Sequence, residues 1–231
     1  MNWIEQVRDF TAPLTPEQIN AFQIFSRDLI TANERINLTA ITNPDAIALK
    51  HFLDSLSLAP LVRNAQTLID IGSGAGFPGI PLKIALPHLR VTLLEATGKK
   101  VAFLNQIINT LNLRDISAIQ ARAEDLGRDP QHREQYDAAV ARGVADLAIL
   151  SEYALPFVRV GGIFIAQKGV SVDEEVARAA SAFQVLGGRV REIVPVHLPE
   201  LEPRHLIVVE KISATPKEYP RRAGLPERKP L

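Results

Sequence analysis

The residues best placed to do chemistry are an acid, three alternating glycines and a second acid: Asp70, Gly72, Gly74, Gly76 and Glu95. Leu68-Ile69-Asp70-Ile71 reads as a strand, and it runs straight into Gly72-Ser73-Gly74-Ala75-Gly76-Phe77-Pro78-Gly79. Pro78 and Pro81 mark a helix start, because proline fits a first turn whose N–H groups lack partners. Strand, glycine turn and helix N-terminus together make a cradle for a nucleotide-like cofactor, with glycines admitting a ligand close to the backbone.

Two cofactor classes use such a cradle. Gly74-Ala75-Gly76-Phe77-Pro78-Gly79 satisfies the dinucleotide string G-x-G-x-x-G, a weak signal by itself. Asp70 followed by Gly72, Gly74 and Gly76 satisfies the acid-then-G-x-G-x-G pattern of enzymes that use S-adenosylmethionine. An acid near a phosphate repels it, whereas an acid near the ammonium and sulfonium of S-adenosylmethionine attracts it. Glu95 ends the next strand, Val91–Leu94, where a carboxylate accepts from both ribose hydroxyls of either cofactor. Asp70 therefore weighs toward the methyl donor. An NAD-type oxidoreductase and a non-catalytic RNA-binding module stay open as alternatives.

Further candidates follow the later strands. Ala123-Glu124 comes after the third strand, beside the expected adenine site, and reads equally as a helix start favoured by the dipole. Arg142 follows the fourth strand, at the crevice where ligands bind in doubly wound sheets. It is a candidate for contacting cofactor or substrate, and equally a surface ion-pair partner for Asp146. Lys168 after the fifth strand has the same placement. His51, Asp54 and Ser55 share one helical face that suits a pocket wall, although a histidine among Phe52, Leu53 and Leu56 reads first as a packing residue. With no cysteine and five scattered histidines, no metal site is expected.

The elements that must position these residues are legible from periodicity. Helical patterns cover 2–10, 15–32 and 44–58, with Thr15-Pro16 and Asn43-Pro44 as start signals. From residue 67, strand-like runs (68–71, 91–94, 117–120, 138–141, 163–166) alternate with helices (79–86, 98–112, 146–157, 172–187). That alternation predicts an α/β, doubly wound, mostly parallel sheet with helices on both faces. Residues 191–197 and 204–211 have no helix between them and predict a terminal antiparallel hairpin, for seven strands in all. The expected organisation is a helical extension (1–60), a core (61–212) and a basic, proline-rich tail (213–231).

The chain balances 26 basic against 26 acidic residues, which argues against a generally basic nucleic-acid coat. The tail is locally cationic: Lys217, Arg221, Arg222, Arg228 and Lys229 oppose only Glu218 and Glu227. Such a tail suits either a polyanion contact or plain solvation. The N-terminal stretch has no signal-peptide core and no run is long enough to cross a membrane, so a cytoplasmic protein without membrane partners is expected.

Asn37–Ile41, His51–Leu56, the Asp70–Pro81 loop, Lys99–Leu104, Ala123-Glu124, Ala141–Ala145 and Tyr219–Arg222 together resemble the bacterial small-subunit ribosomal RNA guanine-N7 methyltransferases, the glucose-inhibited division protein B family. The likeness runs from about residue 20 to the C-terminus. Departures are Glu95 and Ala75, where many relatives carry Asp and Pro. The resemblance implies a Rossmann-like class I methyltransferase. It implies S-adenosylmethionine bound by Gly72, Phe77, Glu95-Ala96-Thr97, Ala123-Glu124 and Arg142, to which the acid-then-glycine pattern adds Asp70 and Gly74. It implies transfer to a guanine in the decoding-centre loop of 16S ribosomal RNA, on RNA or the 30S subunit, by a monomer. Guanine N7 holds a free in-plane lone pair, so no general base is expected, and Arg142 is expected to orient the base. Lys99, Lys100, Lys168, Arg221 and Arg222 are the expected phosphate contacts.

Overall fold

The apolar runs become β1 (Thr67–Ile71), β2 (Arg90–Glu95), β3 (Ile116–Gln120), β4 (Tyr136–Arg142) and β5 (Val158–Lys168), followed by β6 (Gly188–Val196) and β7 (Arg204–Lys211). In this computed structural model, which describes residues 3–169, 172–198 and 201–231, they form one sheet. The order is β3-β2-β1-β4-β5-β7-β6. β1 to β5 are parallel, and β7 enters antiparallel between β5 and β6. The seven strands, the parallel core and the terminal hairpin are as expected. Of the linker between the hairpin strands, residues 199–200 lie outside the described residues.

Strand alternation sorts the core into two layers. Leu68, Ala138 and Val140 face one layer, with α2 (Pro16–Asn33), α6 (Gly79–Ala85) and α7 (Gly98–Thr110). Ile69, Ile71, Ala139 and Ala141 face the other, with α9 (Leu147–Ala154) and α11 (Ala180–Leu186). The first layer also holds α1 (Trp3–Gln6) and the segment after Asn43. That segment runs from α3 (Pro44–Ile47) through a π-helical turn (Ala48–Leu53) into α4 (Asp54–Leu56), not the uniform helix expected. α5 (Ala59–Val62) then leads to β1. Phe22, Phe25 and Phe52 bridge this extension to Phe77 of the glycine loop, with ring centroids 4.9–6.1 Å apart.

Capping sets the entry angles. Thr15 accepts from the Gln18 N–H at 3.3 Å while Gln18 Oε1 accepts from the Thr15 N–H, a reciprocal box at the start of α2. Gln18 then donates to the Ile84 carbonyl and docks α2 on α6. The expected helix over 172–187 is broken at Ala179 into α10 (Asp173–Arg178) and α11. α8 (Ala123–Leu126) is a single turn after β3.

The tail is docked on the core at several points, with exposed residues between them. Residues 213–231 lie along the core as a strap that ends in α12 (Leu225–Arg228). Arg133 donates to the carbonyls of Thr215, Pro216 and Tyr219 at 2.6–3.1 Å. Lys211, fully buried, holds Thr215 Oγ1 and the Leu155 carbonyl and pairs with Glu134 at 3.2 Å. Burial is also why its ammonium pKa falls to about 8.

Candidate functional site

A cavity of about 290 Å³ opens at the carboxyl ends of β1, β2 and β3 and the start of the loop after β4. Of the sequence candidates, Gly72, Glu95, Ala96, Ala123, Glu124 and Lys100 line it. Gly72 sits at φ +67°, and a Cβ there meets Val144 Cγ2 at 2.8 Å, so only glycine leaves this wall its shape.

Six of the loop's backbone N–H groups are spent inside the protein. Gly72 and Ser73 donate to the Leu94 carbonyl, Gly76 and Phe77 to the Ser73 carbonyl. Gly74 donates to Glu95 Oε2 at 3.0 Å and Gly79 to Asp70 Oδ2 at 2.8 Å. Two carboxylates thus occupy N–H groups that a pyrophosphate cradle offers to its ligand. Glu95 Oε1 also accepts from the Thr97 N–H at 2.8 Å, which fixes the carboxylate at the cavity wall with lone pairs left for hydroxyl donors. Gly74 and Thr97 therefore act through Glu95 and do not line the cavity.

Asp70 corrects the sequence reading. It was expected to face the ligand, but alternation turns it with Leu68 into the opposite layer, under the start of α6. It is fully buried, its Oδ1 has no hydrogen-bond partner, and burial pushes its pKa up to about 7. A Cβ on Gly79 meets Asp70 Oδ2 at 2.8 Å, so the Asp70–Gly79 pair is a structural lock on the loop.

A second cluster lies on the far side of the strand tips. Arg142 follows the same alternation away from the cavity. Its Nη1 donates to Asp54 Oδ2 at 2.9 Å and to the Lys50 carbonyl at 3.3 Å. Its guanidinium carbon lies 5.1 Å from the Phe77 ring centroid, a cation–π contact. Phe77 stacks in turn on His51 at 4.5 Å, and His51 Nε2 lies 2.7 Å from Thr39 Oγ1. Neither Arg142 nor Phe77 lines this cavity; the two meet in the neighbouring cluster at the strand tips. Asp146 caps α9 and pairs with Arg178, so it is no partner of Arg142.

Electrostatics define what this cluster can do. Burial, then the neighbouring Arg142 charge, lowers the His51 pKa to about 4, so the ring stays neutral at pH 7. Burial raises the Asp54 pKa, outweighing Arg142 and Arg204, whose Nε lies 3.8 Å away. The result is a charged, flat donor braced by a carboxylate and an aromatic face. Sequence reasoning missed Arg204 and the pairing of Asp54 with Arg142, which joins residues 88 positions apart.

The expected phosphate contacts divide. Lys99 and Arg222 are exposed, and Lys100 points at the cavity. Lys168 is already engaged: it pairs with Glu175 at 2.6 Å and donates to the Ala145 carbonyl. Arg221 is engaged too, held by buried Glu152 through bonds of 2.6–3.1 Å.

An antiparallel β7 inserted beside β5, with a cavity at the strand tips flanked by an acid after β2, defines the Rossmann-like methyltransferases. The chain is similar to a solved O-methyltransferase from Bacillus cereus in complex with SAH, at 19% identity and a TM-score of 0.58 over 90% of this chain and 96% of that one. The family model for rRNA small subunit methyltransferase G, GidB, matches residues 18–207, and the chain belongs to that family. It is 53% identical to the ribosomal RNA small subunit methyltransferase G of Roseiflexus sp. (strain RS-1), over 94% of each chain. It is 47% identical to that of Acetivibrio thermocellus, over 99% of this chain and 95% of the relative. It is an enzyme that uses S-adenosylmethionine.

Proposed function

We propose that the protein transfers a methyl group to N7 of a guanine in the decoding-centre loop of 16S ribosomal RNA. Family membership carries the substrate class. The observation that carries the cofactor is the acid-flanked cavity in which Glu95 is fixed by the Gly74 and Thr97 N–H groups. S-adenosylmethionine supplies an electrophilic methyl carbon on a sulfonium. Glu95 accepts from its ribose hydroxyls, while Gly72, Ala96, Ala123 and Glu124 wall its nucleoside. The NAD-type alternative needs loop donors for a pyrophosphate, and those are taken by Glu95 and Asp70.

Guanine N7 is an unprotonated acceptor on the major-groove edge of the base. The chain has only to position it. Arg142 offers guanidinium donors to the adjacent O6, held in orientation by Asp54 and Phe77. It stays charged throughout, so it orients the base without taking a proton. Lys99 and Arg222, both exposed, bind phosphates of the RNA, whose target base unstacks to reach the site. No described helix is long and apolar enough to cross a membrane. The ribosomal RNA substrate supports a cytoplasmic enzyme acting on the 30S subunit.

Labelled methyl transfer tests the reading. Small-subunit RNA or subunits lacking the modification gain label, and large-subunit RNA does not. Label on neither substrate sinks the proposal.

A further inference from the structure

The cavity has one wall that the glycine loop and strand tips do not supply. Glu227 of α12, in the strap, lines it together with Tyr153 of α9. The Tyr153 hydroxyl donates to Glu227 Oε1 at 3.3 Å. Burial, with Glu124 and Glu227 nearby, raises the Tyr153 phenol pKa far above neutrality, so it remains a donor there. A turn earlier, the Gly224 N–H donates to Glu124 Oε1 at 2.9 Å, and Glu124 is itself a buried cavity residue.

The strap reaches this position under restraint. Arg221 forms a multiple charge-assisted contact with Glu152, whose side chain is 1% exposed. Arg133 holds three strap carbonyls further back. Gly224, at φ +75°, then turns the chain into α12 and brings Glu227 to the cavity. A carboxylate so placed accepts from a donor of the bound nucleoside and favours a cationic ligand.

We infer that the C-terminal strap is part of the cofactor site, that Glu227 is a cofactor-binding residue, and that cofactor binding and strap docking stabilise each other. The inference rests on the S-adenosylmethionine reading of the cavity. Linkage makes the coupling reciprocal: a ligand that touches the docked strap holds it down, and loosening the strap weakens the ligand.

Calorimetric titration of the full-length protein with S-adenosylhomocysteine, alongside amide hydrogen exchange of residues 213–231, tests it. Glu227→Ala is expected to weaken binding by about fivefold or more, the scale of one partly exposed charge-assisted hydrogen bond. Glu227→Gln keeps the shape and reports the charge alone. Glu218→Ala removes an exposed acid of the same strap that does not line the cavity, and binds as the wild type does. In the wild type, S-adenosylhomocysteine slows exchange at Gly224 and through α12. A Glu227→Ala loss below fivefold overturns the proposal, as does strap exchange indifferent to the ligand; in both cases a wild type that binds leaves the cofactor reading standing. A wild type that binds no S-adenosylhomocysteine overturns that reading and this proposal with it.

Discussion

Arg142→Ala separates the two halves of the site. The substitution removes the 2.9 Å bond to Asp54, whose side chain is 4% exposed and whose Oδ1 already lacks a hydrogen-bond partner. Breaking a buried pair costs about 3–5 kcal/mol when the remaining charge is stranded. Here the cost is nearer about 2–3 kcal/mol, because Asp54 relieves itself by protonation and Arg204 stays 3.8 Å away. For a domain of this size that lowers the melting temperature by roughly 5–10 °C. Trp3, the single tryptophan, packs on Phe22 and Phe52 and reports urea unfolding of this layer. The loss depends on pH with a definite sign. A buried Asp54 without Arg142 has a folded pKa further above its unfolded value, so the variant binds more protons folded than unfolded. Its stability is then greatest below the unfolded pKa and declines as pH rises through the folded one. The gap from wild type is therefore smaller at pH 5 than at pH 8. Replacing both partners, as Asp54→Asn with Arg142→Met, restores most of the loss. Because the guanidinium does not line the cavity, S-adenosylhomocysteine affinity stays within about twofold while methyl transfer falls by about a hundredfold, the scale of a lost positioning contact. An unmoved unfolding midpoint refutes the stranded-charge account. Equal losses of affinity and turnover refute the positioning role.

Three other predictions follow from individual side chains. Asp70, with a folded pKa raised to about 7, makes wild-type stability fall as pH rises from the usual carboxylate range through neutrality; Asp70→Asn flattens that slope in urea melts at pH 5 and pH 8. Arg221→Ala leaves Glu152 buried without its partner, costs about 3 kcal/mol and exposes the strap to limited proteolysis, whereas a free phosphate-binding arginine gives neither effect. Lys99→Glu weakens subunit binding and reduces the slope of log affinity against log salt by about 1, while Lys168→Ala leaves that slope unchanged because its ammonium is engaged by Glu175.

Local pattern carried the sheet and the loop. Alternation and the Gly72–Gly79 turn were enough to place β1, α6 and Glu95, because each depends on residues within one βαβ unit. The same period-2 rule, applied to Leu68 and Asp70, already contains the correction: neighbours at i and i+2 share a face, so Asp70 follows Leu68 into the core rather than Ile71 to the cavity. The strap was not legible. Its composition is that of a solvated tail, and the groups that dock it, Glu124, Arg133 and Glu152, sit about 70 to 100 residues upstream. The acids that hold Lys168 and Arg221 were hidden for the same reason, since a cation's partner across the fold leaves no trace in its own neighbourhood. The face carrying His51 and Asp54 was visible as a face; that Arg142 completes it is a contact between residues 88 positions apart, which no local propensity marks.

The central claim is a methyl group placed on one atom of one class of base by this cavity and the Arg142 cluster. Nucleoside analysis of 30S subunits treated with the protein and S-adenosylmethionine tests it most directly. The account predicts 7-methylguanosine in the decoding-centre loop with the wild type, and about a hundredfold less with Arg142→Ala despite normal cofactor binding. Methyl on another nucleoside, on the large subunit, or at undiminished rate in Arg142→Ala contradicts it.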